Sequence, residues 1–247
     1  MTQYAFYFDQ SRCYNCHACV VACRDWNNID AGPVKWLRML QWEKGAFPST
    51  RILSVYAACY HCQKPVCVFS CASHALFKEP KYGAVLLDES LCSGCRECWR
   101  ACPYGAPQFA DDVPGTKMSK CDMCYDRLED GKKPICVEGC PGRALDFGPI
   151  DEIKGKYGDF QQLEGMPAPD ATHPAIFFKP INERREVVAY DKDRALDLMQ
   201  HRKDMPDLFG NAEDVEELPD GLVGYSKLVM KAPNTEAALA LSKNEEG

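Results

Sequence analysis

Cysteine content limits the possible folds of this 247-residue sequence more than any other feature. There are 16 cysteines, all within residues 13–140, and they form four groups of four that each begin with Cys-x-x-Cys. Such a pair brings two sulfurs onto one tight turn, which suits a shared metal site better than two bridges to distant strands. In chain order the groups are Cys13, Cys16, Cys19 and Cys23; Cys59, Cys62, Cys67 and Cys71; Cys92, Cys95, Cys98 and Cys102; and Cys121, Cys124, Cys136 and Cys140.

A disulfide scaffold is the first alternative, and the rest of the sequence disfavours it. Disulfide frameworks are typical of short secreted chains without a core, whereas this chain is long and 46% hydrophobic. Its N-terminal segment has no charged region followed by an apolar one and no twin arginine, so we expect no export signal of its own. No apolar run approaches the roughly 20 residues of a membrane helix. The net charge of -7 argues against nucleic-acid binding.

The spacing within the groups favours iron–sulfur clusters over zinc. The first and third groups have the spacing Cys-x2-Cys-x2-Cys-x3-Cys, in which one loop can offer thiolates to three irons of a cubane. In two-cluster ferredoxins the fourth cysteine of such a run binds the other cluster. A tetrahedral zinc site has no need of a third cysteine at that spacing. Zinc remains a distant alternative.

A c-type haem is a further alternative for the first group, because residues 13–17 read Cys-x-x-Cys-His. A haem would leave Cys19 and Cys23 without a role, and none of the other groups continues with histidine. We therefore interpret the histidine of this motif as a loop residue beside a cluster. It either donates a hydrogen bond to a sulfur or faces solvent, and the same two alternatives hold for His61 and His74.

Short apolar segments flank the cysteine groups and are predicted to be strands, at residues 4–9, 74–79, 83–89, 106–111 and 143–148. The order of strand, cysteine run, short helix and strand occurs twice, which indicates an internal repeat. Each unit would be a small, loop-rich α+β ferredoxin-like fold that binds two clusters. The clusters would form much of the core, since ligation is coupled to folding.

Two segments lie outside this repeat. Residues 24–50 contain Trp26, Trp36 and Trp42, which either pack locally over the cluster loops or form a surface for a partner. Residues 151–247 are rich in proline near their start and acidic at 211–220, with one short helix predicted at 191–201. We expect this C-terminal part to be an extended arm on another subunit rather than a domain, with a frayed tail as the alternative.

The four cysteine runs, read in order, resemble a known family. They are similar to the four-cluster iron–sulfur subunits of the dimethyl sulfoxide reductase superfamily of molybdopterin oxidoreductases. The resemblance covers residues 1 to 150, and the matching segments are CYNCHACVVACRDWN, CYHCQKPVCVFSCASHAL, CSGCRECWRACPYGAPQF and KCDMCYDRLEDGKKPICVEGCPGRALDFG.

The resemblance implies four [4Fe–4S] clusters in which all sixteen cysteines bind iron. Some relatives hold a three-iron cluster where tryptophan replaces the second cysteine of the third run, but this chain has Cys95 there. The implied ligand sets are Cys13, Cys16, Cys19 and Cys140; Cys23, Cys121, Cys124 and Cys136; Cys71, Cys92, Cys95 and Cys98; and Cys59, Cys62, Cys67 and Cys102.

The implied domain organisation follows from these sets. Residues 1–50 and 112–150 would form one ferredoxin-like module, and residues 51–111 would form a second module inserted into the first. By the same resemblance, the set with Cys13 would lie nearest a catalytic subunit, and the set with Cys59 would lie at the far end.

The implied function is electron transfer between a large molybdopterin catalytic subunit and a membrane quinone-reactive subunit or a soluble redox partner. The sequence offers no nucleophile–base pair, paired carboxylates or phosphate loop, so we expect no catalysis by this chain alone. Five cations near the runs either offset the negative charge of the clusters or are ordinary surface charges: Arg12, Arg24, Arg96, Arg100 and Lys120.

Two alternatives for the function stay open. One is a free polyferredoxin, or an electron-transfer subunit of another oxidoreductase complex, and a more distant one is a zinc-binding interaction module. The resemblance implies a subunit peripheral to the membrane and exported with its catalytic partner, with a cytoplasmic complex as the alternative.

Overall fold

The computed structural model describes residues 2–46 and 50–181, and its small sheets, short helices and long loops confirm the predicted α+β class. Within this part of the chain, no helix combines the length and apolar character needed to cross a membrane. In chain order the elements are β1 (Tyr4–Asp9), α1 (Ala18–Trp26), β2 (Leu37–Lys44), β3 (Arg51–Ala58), α2 (Val66–Phe69), β4 (Leu76–Lys78), β5 (Val85–Leu87), α3 (Glu97–Ala101), β6 (Gln108–Phe109), β7 (Met118–Ser119), α4 (Tyr125–Glu129), α5 (Ile135–Glu138), β8 (Leu145–Pro149), α6 (Ile150–Tyr157), a 3-10 turn (Pro169–Ala171) and β9 (Ile176–Lys179).

A three-stranded sheet joins distant parts of the chain, with β1 between β8 and β9. Strand β1 is almost entirely buried because both of its faces are covered. Phe6 and Phe8 face the main core, while Tyr7 stacks on Tyr157 of α6 with ring centroids 3.6 Å apart. The five strands predicted from apolar segments are all present.

The tryptophan-rich segment contributes β2, which pairs antiparallel with β3 over eight residues. Its side chains pack within the chain: Trp36 Nε1 donates to Ser119 Oγ at 2.5 Å, and Trp26 Nε1 donates to Asp126 Oδ2 at 2.9 Å. Trp36 and Trp26 thus make contacts beside the fourth cysteine run, while Trp26 is 41% exposed. A partner surface on this segment stays a prediction. Strands β2 and β3 lie on opposite sides of the expected module boundary at residue 50 and pair across it. Strands β6 and β7 pair in the same way across the expected boundary at residue 111.

Residues 150–181, at the start of the expected arm, fold onto the rest of the chain. Helix α6 buries Ile150 and Ile153 against the sheet, and β9 pairs in parallel with β1. Phe177 and Phe178 are 1% exposed, so hydrophobic burial fixes this segment. The helix predicted at 191–201 and the acidic run at 211–220 lie outside the described residues.

Candidate metal centres

Each cysteine run forms a tight loop that turns into a short helix. In the first run, Asn15 and His17 adopt left-handed backbone angles with φ of 57° and 59°, directly before α1. In the third run, Gly94 and Arg96 do the same with φ of 72° and 66°, directly before α3. Left-handed residues reverse the chain within one turn. The two loops therefore have the same curled shape around their thiols.

The first loop lines a small cavity whose wall carries four thiols. The fourth thiol comes from the turn after α5, more than a hundred residues along the chain, and its sulfur accepts a hydrogen bond from the Ala144 backbone N–H at 3.3 Å. These four residues are named set 1: Cys13, Cys16, Cys19 and Cys140.

The third run lines a second small cavity of the same kind. Its sulfurs also have polar neighbours, since the Met118 backbone N–H donates to Cys92 Sγ at 3.5 Å and Ser73 Oγ lies 3.6 Å from Cys71 Sγ. The four thiols of this cavity are named set 4: Cys71, Cys92, Cys95 and Cys98.

A third group of thiols meets beside helix α1. Burial, followed by the charge of Cys124, raises the pKa of Cys23 to about 12. Burial also raises the pKa of Cys121 and Cys136 well above the ordinary thiol value, and the charges of Cys23 and Cys124 add to the effect. This group is named set 2: Cys23, Cys121, Cys124 and Cys136.

The remaining thiols come from the second run and the end of α3. Burial and the charge of Cys59 raise the pKa of Cys62 to about 12, with smaller contributions from Cys102 and Cys67. A cysteine that binds a metal is a thiolate, so metal binding releases the thiol protons. This group is named set 3: Cys59, Cys62, Cys67 and Cys102.

Three contacts arrange the sets in one line. Sets 1 and 2 share the main core, where the charge of Cys19 raises the pKa of Cys136. Sets 2 and 3 meet where Cys59 packs with Cys121. Sets 3 and 4 meet where Cys67 packs on the small core that contains Cys98. The order in space is therefore set 1, set 2, set 3 and set 4.

This order corrects one expectation from the sequence. The set with Cys59 was expected at the far end, and that prediction is wrong. The reason is that β3 ends at Ala58, which places Cys59 directly against Cys121 of the fourth run. The structure describes all sixteen cysteines, and two of them are exposed, Cys16 and Cys95. Cys16 belongs to set 1 and Cys95 to set 4, the sets at the two ends of the order.

Two buried or half-buried lysines bind carbonyl groups in the cysteine loops. Lys120, 4% exposed, donates to the Cys121 carbonyl at 2.7 Å, and Lys78 donates to the Cys62 carbonyl at 2.7 Å. Burial lowers the pKa of Lys78 to about 8, although nearby thiols act in the opposite direction. The sequence pattern indicates Lys120 but not Lys78, because only tertiary packing brings β4 to the second run.

The other predicted cations have polar partners. Arg96 forms an ion pair with Asp112, and Arg100 pairs with Glu97 at 2.7 Å. Arg24 donates to the Asp30 carbonyl. Arg12 donates to the Arg143 carbonyl at 3.5 Å.

The histidines beside the cysteines differ in their surroundings. His17 and His74 are exposed, which fits the solvent-facing alternative. His61 is fully buried, and its Nδ1 accepts a hydrogen bond from the Val85 backbone N–H at 2.9 Å. Nothing in the sequence around His61 distinguishes it, since its acceptor role depends on β5.

The residues present fit iron–sulfur clusters. All sixteen cysteines are free thiols, and backbone or side-chain donors approach sulfurs in sets 1, 2 and 4. In the described residues, no group of three or more Cys, His, Asp or Glu side chains is placed to share a single metal ion. The thiols of set 1 and of set 4 line cavities, which suits a cluster held by four cysteines.

Comparison with known proteins gives two results. The model of the 4Fe-4S dicluster domain family matches residues 51–150. The protein is 43% identical to one chain of the anaerobic dimethyl sulfoxide reductase of Escherichia coli strain K12, over 72% of its own length and 89% of the relative. It is also 40% identical to the corresponding chain of the Haemophilus influenzae enzyme, over 73% of its own length and 90% of that chain. It is 33% identical to one subunit of the sulfite dehydrogenase of Allochromatium vinosum, over 85% of its own length and 96% of that subunit.

These similarities confirm the resemblance predicted from the cysteine runs. They also agree with the geometry, in which sixteen thiols form four sets. The chain thus belongs to the family of iron–sulfur electron-transfer subunits of the dimethyl sulfoxide reductase superfamily.

Proposed function

We propose that each thiol set holds one [4Fe–4S] cluster and that electrons pass along the four clusters in the order of the sets. The observation that carries this proposal is the linear arrangement of the sets, with an exposed cysteine in each end set. Each cluster, when bound, accepts or releases one electron. The direction of electron transfer depends on the substrate, which would bind to another subunit of the complex.

The chain's own contribution is to hold and insulate these clusters. Its thiolates bind iron, and the backbone N–H groups of Ala144 and Met118 donate to sulfurs of sets 1 and 4. The ammonium groups of Lys78 and Lys120 lie beside sets 2 and 3. Their positive charge opposes the negative charge of the clusters, and hydrogen bonds, charge and burial together set the potentials.

Exposed apolar side chains at both ends of the line support contacts with two partners. Tyr14, 63% exposed, lines the cavity of set 1, and Val21 is 64% exposed on α1. Leu91 and Trp99, both about half exposed, flank the cysteines of set 4 in the sequence. Large apolar and aromatic residues are enriched in interface cores.

We assign the set 1 end to a large molybdopterin catalytic subunit. The set 4 end would exchange electrons with a membrane quinone-reactive subunit or a soluble redox partner. The similar proteins are named as one chain or subunit of dimethyl sulfoxide reductase or sulfite dehydrogenase, which supports a multisubunit enzyme.

The same proposal includes two ferredoxin-like modules, residues 1–50 with 112–150 and the inserted residues 51–111. Sets 1 and 2 use only cysteines of the first module, and sets 3 and 4 use only those of the second. Pairing of β1 with β8 supports closure of the first module across the insertion. The β2–β3 and β6–β7 pairs would then join the modules.

The protein would be peripheral to the membrane and exported together with its catalytic partner. A cytoplasmic complex is the alternative. Fractionation of cells into periplasm, membrane and cytoplasm, with the catalytic partner followed in parallel, distinguishes the two. Recovery of the protein in the cytoplasmic fraction together with an active partner would contradict export.

Analysis of iron, acid-labile sulfide and other metals tests the proposed function on protein purified anaerobically with its bound partners. Four cubanes predict about 16 iron and 16 sulfide per chain, with molybdenum or tungsten in a large co-purifying subunit. Iron without any large partner would favour a free polyferredoxin. Zinc without sulfide would overturn the proposal.

A further inference from the structure

Tyr56 of β3 is a fully buried tyrosine whose hydroxyl faces a thiol set. The residue is 1% exposed, and its ring lies between Phe6 and Phe8, with centroids 5.9 and 6.3 Å away. Its hydroxyl oxygen lies 3.4 Å from Cys136 Sγ of set 2. This contact joins residues that are 80 positions apart in the sequence.

The electrostatic surroundings of the hydroxyl point to the same set. Burial raises the pKa of Tyr56 well above its ordinary value, and the charges of Cys136, Cys121 and Cys23 raise it further. These are three of the four thiols of set 2. The phenol hydroxyl is therefore directed at this set.

The identity of the donor follows from the chemistry of the ligand. A buried phenol hydroxyl needs a hydrogen-bond acceptor. A cysteine that binds iron is a thiolate, which has no proton to donate. When set 2 is loaded, the hydrogen bond must run from the Tyr56 hydroxyl to Cys136 Sγ.

We propose that Tyr56 donates a hydrogen bond to Cys136 Sγ and thereby raises the reduction potential of the cluster held by set 2. A hydrogen bond to sulfur stabilises the more negative, reduced cluster more than the oxidised one. Tyr56 thus tunes the second step of the electron path. This inference rests on the proposed function, because it requires a cluster in set 2.

Tyr56→Phe in the intact complex tests the inference, since it removes the hydroxyl and keeps the ring. Tyr82→Phe is the matched control: its buried hydroxyl donates to the Leu128 carbonyl at 2.9 Å, with no sulfur involved. Redox titration followed by electron paramagnetic resonance measures each cluster. The set 2 signal is identified as the one altered in Cys23→Ser.

We expect Tyr56→Phe to shift the potential of the set 2 cluster to a more negative value and to leave the other three unchanged. Tyr82→Phe should shift none. An unchanged potential at full iron content would overturn the inference, and so would an equal shift in Tyr82→Phe or in all four clusters. Too little iron in the unaltered complex would instead contradict the proposed function.

A second variant covers the outcome in which Tyr56→Phe fails to assemble. A ring-fluorinated tyrosine placed at position 56 keeps the ring and its hydroxyl but makes the hydroxyl more acidic. A stronger donor should move the potential of the set 2 cluster in the opposite direction, to a more positive value. No shift, or a negative one, would overturn the inference.

Discussion

Cys23 illustrates how a single residue can serve a different centre from its sequence neighbours. It lies four residues after Cys19 on the helix that follows the first loop. The charges that raise its pKa, after burial, come mainly from Cys124 and Asp122 of the fourth run. The helical turn between the two cysteines therefore separates a thiol of set 1 from a thiol of set 2.

Cys23→Ser tests this assignment directly. Serine is a poor ligand for a cluster, so we expect loss or alteration of the cluster held with Cys121, Cys124 and Cys136. The cluster of the first loop should persist. Electron paramagnetic resonance of the reduced complex, with iron analysis, distinguishes the two clusters. Loss of the set 1 cluster would contradict the assignment.

Gly94 lies in a loop that has no space for a side chain, which gives a second prediction for a single residue. Its φ is 72°, and an added Cβ would lie 2.6 Å from the Thr116 carbonyl oxygen, which belongs to the backbone. A left-handed alanine alone costs about 1 kcal/mol. We expect Gly94→Ala to exceed that cost and to lower the iron content of set 4.

Gly131→Ala is the matched control for this loop. Gly131 has a similar φ of 70°, but an added Cβ would meet nothing within 4 Å. This variant should show only the cost of the left-handed angle, about 1 kcal/mol, and should keep its iron. Equal unfolding midpoints and equal iron contents in both variants would show that the contact at Thr116 has no effect.

At the scale of elements, Asp146 of β8 joins the sheet to two neighbouring segments. Its carboxylate accepts hydrogen bonds from Lys133 at 2.6 Å, Lys156 at 2.9 Å and Tyr157 at 2.7 Å. Burial alone would raise the pKa of Asp146, but these donors outweigh it and hold the pKa below its ordinary value. The contacts therefore stabilise the fold when Asp146 is ionised.

This lowered pKa gives a pH-dependent prediction. The folded pKa is below the unfolded one, so the stabilisation is present above about pH 4 and is lost as the pH falls further. Because both lysines are more than half exposed, we expect Asp146→Asn to cost only about 1–2 kcal/mol at pH 7.

Chemical denaturation at pH 7, where the acid-labile sulfide of the clusters is retained, checks the Asp146 prediction. Asp130→Asn is the control, since Asp130 and Lys132 form an ion pair that is exposed on both sides and is worth at most about 1 kcal/mol. A cost for Asp146→Asn no larger than that for Asp130→Asn would contradict the proposed role of the carboxylate.

The elements also show what a local pattern can and cannot predict. The short strands beside the cysteine runs were predicted correctly, because each is a compact apolar segment between turns. Strand β2, LRMLQWEK, was missed, because its polar and apolar residues do not alternate regularly. It becomes a strand by pairing with β3 and burying Leu37 and Met39 in the main core.

At the scale of the whole molecule, the position of set 3 between sets 2 and 4 makes it necessary for transfer between the ends. In Cys62→Ser, we expect both end clusters to remain reducible by small-molecule reductants. Electrons delivered at the Cys95 end should no longer reach the Cys16 end at the unaltered rate.

Rapid-freeze electron paramagnetic resonance on the Cys62→Ser complex measures this transfer. Cys62 is suited to the test because its carbonyl contact with Lys78 uses the backbone and survives the change. If set 3 lay at the far end, transfer among the other three clusters would be unaffected. Unchanged transfer would thus contradict the observed order.

The sequence by itself determined the metal-binding chemistry of this protein. The type of ligand and the Cys-x-x-Cys spacing depend on residues that are close together in the chain, and so do the loops around each run. The positions of the sixteen cysteines in the sequence are therefore enough to predict them. Tertiary structure decided the order of the sets and the neighbours of each sulfur. Contacts such as Cys59 with Cys121 and Tyr56 with Cys136 join residues some 60 to 80 positions apart. Such contacts depend on how strands and loops pack together, a global property that no local spacing encodes.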